Sequence, residues 1–154
     1  MKQVIAFIIL CMFSTSIYAQ NFDADFNPEM VIKYRVDFMT AVKGHNNGIK
    51  AVVNGAVPFP DHLSMHVDAL EKLFERIPEL FPEGSDFGET HAKDAIWDNP
   101  EKFSDTVTKA QQALSDFKKV VAAGDMAQTR SAFKEFGKNS CGSCHRAFKR
   151  KHDH

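Results

Sequence analysis

The sequence predicts an all-α protein, an antiparallel four-helix bundle with one long crossover loop. The triplet Asn-Pro-Glu occurs at residues 27–29 and again at 99–101, and each copy offers a helix cap, a first-turn proline and a first-turn acid. Apolar residues recur every three or four positions along several segments, as on the buried face of a helix. No alternation of apolar and polar residues is long enough to indicate a strand.

The first helix is predicted to begin after Asn27 and to run to about Asn54. It should end at Gly55, because Pro58 and Pro60 follow closely and cannot continue a helix. The second helix is predicted to start at an Asp61 cap and to reach Ile77, just before Pro78. Its apolar seam consists of Leu63, Val67, Leu70, Phe74 and Ile77.

The third helix should run from Asn99 to near Ala123, with Gly124 as its stop. Asp125 is then expected to cap a fourth helix that continues through two cysteines towards Lys149. Residues 78–98 form the long crossover, which is unusually apolar for a solvated loop because it carries Phe81, Phe87, Ile96 and Trp97. These side chains are expected either to cover one end of the bundle or to line a ligand cavity.

The first nineteen of the 154 residues have the features of an export signal. A lysine at position 2 precedes an apolar run from Val4 to Phe13, and Ala19 is a small residue suited to cleavage before Gln20, give or take a residue or two. The run is too short to span a bilayer as a stable helix. We therefore expect residues 20–154 to form one exported domain in the bacterial periplasm, with no membrane span in the mature chain.

Charge balance gives no sign of a nucleic-acid partner. The full chain has 19 basic and 20 acidic residues, and removal of the signal with Lys2 leaves 18 against 20, or −2. The one sizeable basic stretch is the tail "RAFKRKHDH", and cations suit the C-terminal end of a helix. We interpret this tail as a solvated helix end in preference to a docking patch.

The most specific motif is Cys-x-x-Cys-His at residues 141–145, close to the end of the chain. On a helix Cys141, Cys144 and His145 share one face, so that two thioether bonds could hold a haem edge while the imidazole reaches the iron. A redox-active cysteine pair, half of a zinc site and a structural disulfide are the alternatives. A redox pair would follow a strand, and zinc would need a second pair of ligands at comparable spacing. Covalent haem c, one per chain, is the favoured interpretation.

Several segments together resemble the class II c-type cytochromes, and among them cytochromes c′ most. They are "CGSCHRAFK" near the end of the chain, "VIKYR" early in the first helix, "AIW" before the third helix, and the four-helix layout, over residues 22–150. The resemblance implies that the haem lies inside the bundle, with His145 as the proximal iron ligand. It implies that Arg35 pairs with a haem propionate and that Met39, four residues later, faces the iron.

The resemblance names further haem contacts. Val36, Thr90, Phe148 and Lys149 are expected to contact the cofactor, although family members more often have arginine where Lys149 stands. Met39 decides between two functions. If it only crowds the iron, the haem is five-coordinate and largely high-spin, binds NO and CO, and takes part in electron transfer. If Met39 ligates the iron, the protein is a low-spin electron carrier with an unidentified redox partner. The "VIKYR" segment and Thr40 after Met39 favour the open form.

Two further expectations concern catalysis and assembly. The first-helix face offers Phe38, Met39 and Val42, none of which can donate a proton, and we therefore predict no enzyme. The first helix also has surplus apolar residues, among them Val31, Ile32, Val36 and Ile49, and helices one and two commonly form the dimer face in the family. A homodimer is expected.

Overall fold

The computed structural model describes residues 27–151, and the predicted signal segment lies outside that range. Four long helical segments form the predicted bundle. They are α1 (Pro28–Val53), α2 (His62–Arg76), α4 (Pro100–Ala122) and α5 (Met126–Gly137), with a short α3 (Ala95–Asp98) in the crossover. A 3₁₀ segment, Ile77–Leu80, follows α2, and a π-helical segment, Lys138–Gly142, joins α5 to α6 (Ser143–Phe148). The described residues contain no β-strand beyond one isolated bridge.

The long helices pack as a closed ring around one core, in which α1 and α4 each contact both α2 and α5. Phe117 and Phe136 stack with ring centroids 5.4 Å apart, and Phe74 contacts the same cluster. Leu70 and Leu114, both 1% exposed, come from the predicted seams of the second and third helices. Apolar contact of this kind is the main source of helix stability in a bundle. The all-α prediction is confirmed.

Polar bonds tie neighbouring helices together at their edges. Lys118 on α4 forms salt bridges with Asp68 (2.9 Å) and Glu71 (2.7 Å) on α2, and the two carboxylates raise its pKa to about 12. Arg130 on α5 donates from Nε to the carbonyl of Val53 at 2.7 Å. That bond satisfies one of the four carbonyls that the end of α1 leaves without a partner inside the helix.

Helix ends agree with the predicted punctuation, except for two caps. α1 ends at Val53 and α4 at Ala122, and the glycines beyond them, Gly55 and Gly124, adopt φ of 68° and 77°, which favour glycine. The Asn27 side chain accepts from Met30 N, but Asp61 and Asn99 make no side-chain capping bond. Their predicted capping role is therefore wrong. Asp61 itself has helical φ and ψ, outside the extended region that a capping residue typically adopts.

The fourth helix runs through the cysteines, as the sequence predicts. It consists of α5, the π segment and α6 without a break, and it ends at Phe148, because Lys149 turns to an extended conformation. At the end of the π segment, Ser143 Oγ donates to the carbonyl oxygens of Asn139 (2.6 Å) and Ser140 (2.9 Å). Such π turns inside α-helices are frequent at functional sites. This one contains Cys141.

The cap at the start of α5 can be tested directly. The Asp125 carboxylate accepts from Ala127 N at 2.9 Å and Gln128 N at 3.0 Å, and these bonds lower its pKa. We expect Asp125→Ala to lower the midpoint of thermal unfolding. Asp61→Ala is the matched control, because that exposed helix-start aspartate has no capping bond to lose. Equal shifts in the two variants would contradict the capping role of Asp125.

The same bonds give the effect of Asp125 a pH dependence. Because its pKa is lowered in the folded state, its contribution is present above the unfolded pKa and is lost as pH falls through the folded pKa. The difference in thermal midpoint between the parent and Asp125→Ala should therefore shrink in acid. A difference that stays constant down to acidic pH would argue against the charged cap.

Candidate haem site

Arg35 is the most heavily bonded residue near the predicted site. It is 5% exposed, and both terminal nitrogens donate to the crossover: Nη1 to Leu80 O and Ser85 Oγ, each at 3.1 Å, and Nη2 to Ser85 O at 2.9 Å and Thr90 Oγ1 at 2.8 Å. Its guanidinium carbon lies 4.8 Å from the ring centroid of Phe81. Burial lowers the pKa of this guanidinium.

The charge of Arg35 has no counter-ion among the described residues, where no carboxylate forms a salt bridge with it. A buried cation is costly unless it is paired. A haem propionate would supply the missing negative charge, and Nε makes no hydrogen bond within residues 27–151. The donor set around Arg35 therefore fits the predicted cofactor.

Thr90 links Arg35 to the end of the chain. Its Oγ1 accepts from Arg35 Nη2 and, at 3.1 Å, from the backbone N–H of Ala92. Ala92 in turn forms an isolated antiparallel bridge with Lys149, four residues after His145. The flanking bonds are Lys93 N to Phe148 O at 3.0 Å and Arg150 N to His91 O at 2.8 Å. The crossover therefore joins the first helix to the haem-motif helix.

Aromatic rings form a second connection along the same route. Phe81 contacts Phe103 edge to face at 5.0 Å, and Phe103 contacts Phe148 in the same way at 5.2 Å. Trp97 also packs beside Phe81, and its Nε1 donates to the carbonyls of Phe81 and Pro82. Phe81 and Trp97 thus lie against the Arg35 guanidinium. Phe87 is 57% exposed, so it neither covers the end of the bundle nor lines a cavity, the two roles predicted for the crossover aromatics.

Met39 lies one turn after Arg35 on α1, partly buried at the edge of the core together with Phe38 and Val42. The motif cysteines lie at the edge of the same core. No Cα atom of α1 comes within 8 Å of one in α6. The backbones of the two helices predicted to cover the two faces of the iron are therefore not in close contact. Val36, one residue after Arg35, is 49% exposed and outside the buried network.

The two thiols are in a setting that disfavours redox chemistry. Burial raises the pKa of Cys141, and burial together with the neighbouring Cys141 raises that of Cys144 to about 11. Reactive cysteine pairs have lowered thiol pKa values, because the thiolate is the nucleophile. The cysteines are not joined by a disulfide, and no cluster of three or more possible metal ligands occurs within residues 27–151. The redox-pair, zinc and disulfide interpretations all lose support.

His145 is exposed, yet the protein around it and the charge of Lys149 lower its pKa. A lowered pKa keeps the imidazole neutral, which is the form that ligates metals. Lys149 N donates to His145 O at 3.0 Å, so the lysine backbone is fixed to the motif.

Sequence reasoning did not identify Ser85 as a residue of the site, because only the folded crossover brings its hydroxyl and carbonyl to Arg35.

A bundle of this topology with a Cys-x-x-Cys-His motif on its last helical segment defines a class II c-type cytochrome. The family model described as Cytochrome C' matches residues 30–149. The chain belongs to the cytochrome c′ family, and its cofactor is covalently attached haem c. None of the helices within residues 27–151 is long and apolar enough to span a membrane.

Individual relatives agree with this assignment. The chain is 29% identical over 124 residues to cytochrome c′ of Pararhodospirillum photometricum, covering 80% of this chain and 98% of the relative. It is 38% identical over 78 residues to cytochrome c-554 of Cereibacter sphaeroides, covering 48% and 56%. Cytochrome c′ of Rubrivivax gelatinosus superimposes with a TM-score of 0.69 at 28% identity, covering 79% of this chain and 96% of that one.

A further solved structure carries a gas ligand. The carbon monoxide-bound variant of cytochrome c prime from Alcaligenes xylosoxidans superimposes with a TM-score of 0.72 at 27% identity. The superposition covers 81% of this chain and 98% of that one.

The link through Thr90 generates a test. Thr90→Val keeps the shape of the side chain but removes the acceptor used by Arg35 and Ala92 N. We expect it to lower the free energy of unfolding by about 1–3 kcal/mol, because buried donors lose their partner. Thr106→Val is the control, since that hydroxyl bonds only to Lys102 O in its own helix. Equal losses in chemical denaturation of the two variants would contradict the link.

Proposed function

We propose that this chain is an exported monohaem cytochrome c′ that binds small neutral gases at a five-coordinate, largely high-spin iron and takes part in electron transfer. In the proposal Cys141 and Cys144 form the thioethers and His145 is the proximal ligand. The haem supplies an iron centre that can change oxidation state and accept one axial ligand. The observation that carries the proposal is the buried Arg35, held by the crossover that pairs with the end of the motif helix, without a carboxylate partner among the described residues.

Arg35 and Thr90 are proposed to hold one propionate. The two terminal nitrogens of Arg35 already serve the crossover, which leaves Nε for the ligand. Thr90 Oγ1 accepts two hydrogen bonds, and its own proton is available to donate. Charge-assisted bonds of this kind orient a carboxylate as well as attract it. Phe148 and Lys149 would lie beside the proximal imidazole, and Val36 at the haem edge.

Met39 is proposed to crowd the distal face without ligating the iron. Its side chain packs against the core beside Phe38 and Val42, so that the distal side is apolar and offers a bound gas no proton donor from these three residues. An apolar, confined site favours a small neutral ligand over an anion, which would lose its hydration there. The solved NO and CO complexes of variants of the Alcaligenes protein support the proposed gas binding. No catalytic role is proposed.

The alternative function is a low-spin carrier in which the Met39 thioether ligates the iron. The observation that supports it is the position of Met39, partly buried on α1 one turn after Arg35, because methionine is a known axial ligand of haem iron in c-type cytochromes. Two fixed axial ligands would close the site to gases and would limit rearrangement on reduction.

Optical spectra of the ferric and ferrous protein, with and without carbon monoxide, decide between these functions. We expect a high-spin spectrum that shifts on adding the gas, and Met39→Leu should leave the spin state unchanged because leucine fills similar space. Met39→Ala should raise the carbon monoxide affinity by relieving the crowding. A low-spin spectrum that ignores the gas, converted to high-spin by Met39→Leu, would overturn the proposal and establish ligation.

We also propose that residues 1–19 are removed on export to the periplasm and that residues 20–154 form the mature domain. Mass spectrometry of the purified protein tests this proposal. A mass equal to residues 20–154 plus one haem is expected, with a tolerance of a residue or two at the cleavage site. A mass that retains the first nineteen residues would contradict it.

A homodimer through α1 and α2 is the proposed assembly. The exposed apolar side chains of these helices support it: Met30 and Tyr34 on α1 and Met65 on α2 are each more than half exposed. Ile32 and Ile49, which were expected to contribute, are instead buried. We expect sedimentation at micromolar concentration to show a dimer that Tyr34→Asp weakens. Phe87→Asp is the matched control, an equally exposed aromatic in the crossover. A monomeric parent, or equal weakening by both variants, would contradict the interface.

A further inference from the structure

A pair of potential metal ligands lies away from the haem motif, between α1 and α2. The Nδ1 atoms of His45 and His66 are 3.1 Å apart, and their rings meet edge to face with centroids separated by 5.3 Å. Both side chains are partly buried, and neither forms a salt bridge with a described residue. Two imidazoles from different helices thus bring their Nδ1 atoms close together.

The separation of these nitrogens suits a shared metal ion. Zinc–nitrogen bonds are about 2.0–2.1 Å long, which places two nitrogens of a tetrahedral site about 3.3 Å apart. In the metal-free protein one Nδ1–H donates to the other Nδ1 lone pair. To bind a metal, the donor ring moves that proton to its Nε2, and both rings turn so that their Nδ1 lone pairs converge on an ion beside the line that joins the two nitrogens. No large rearrangement of the helices is required.

Gly48 shapes the position of the His66 ring. A Cβ atom at this position would lie 2.5 Å from His66 Nε2 and 2.7 Å from Cε1, so the ring occupies space that only glycine leaves open. His66 thereby packs against α1 one turn from His45.

We propose that His45 and His66 form a binding site for one divalent transition-metal ion of the imidazole-preferring class, such as Zn²⁺. No third histidine, cysteine or carboxylate in the described chain completes a cluster, so water fills the remaining positions. His62, one turn before His66, stacks on Phe59 at 5.1 Å and is not a ligand in this site. The ion clamps α1, the helix that carries Met39, to α2.

The test is calorimetric titration of Zn²⁺ into the chelator-treated holoprotein, because zinc has no redox chemistry that would disturb the haem. The background carries His152→Asn and His154→Asn, which remove the tail histidines as competing ligands. We expect saturable binding of one ion per chain and a rise in the thermal midpoint with zinc concentration. The absence of saturable binding would overturn the proposal.

Four variants locate the site. His45→Ala and His66→Ala should each abolish the saturable binding. Gly48→Ala keeps both ligands but displaces the His66 ring, and should weaken binding about tenfold or more, as changes in the support of a metal ligand do. Gly44→Ala is its matched control, since a Cβ there meets nothing within 4 Å. His62→Ala should bind like the background.

The thermal midpoint without zinc shows whether each variant is folded. Undiminished binding in folded His45→Ala or His66→Ala, or loss of binding in His62→Ala, would overturn the proposed ligand pair. The haem spectra test a different site, so failure here leaves the proposed gas binding untouched.

Discussion

The burial of one cation, Arg35, holds the long crossover of the bundle in place. A guanidinium in an apolar setting requires that its N–H groups be bonded and its charge compensated. The crossover supplies the bonds through Leu80, Ser85 and Thr90, and the Phe81 ring covers one face of the cation. The crossover has no long helix of its own, and its bonds to Arg35 hold it against α1. None of the described residues supplies a negative charge to Arg35.

The same crossover joins the first helix to the end of the motif helix. Thr90 contacts Arg35 on the first helix, and two residues later Ala92 pairs with Lys149 beyond the motif. A short chain of hydrogen bonds therefore links α1 to the end of α6, although no Cα atoms of the two helices lie within 8 Å of each other. In the proposed function, the distance between Met39 and an iron bound to His145 would decide between crowding and ligation.

The helices and the motif could be predicted because their signals are local. Proline and glycine fix the ends of α1 and α4, and the seam around Leu70 and Leu114 needs only the period of a helix. The π turn at Cys141 could not be predicted, since a single wide turn leaves no periodic trace. Ser85 could not be predicted either, because the role of a serine in a loop depends on which distant residues it contacts, here Arg35. The capping role expected of Asp61 was wrong because its backbone is helical.

By itself the sequence determined the helical class, the haem-attachment motif and, through resemblance, the family. These depend on residues close together in the chain, where spacing alone places side chains on one face. Tertiary structure alone decided that Arg35 is buried without a carboxylate partner in the described chain, that the crossover joins α1 to α6, and that His45 meets His66. Each of these contacts joins residues more than twenty positions apart. Their meeting depends on how whole helices pack, which no local pattern records.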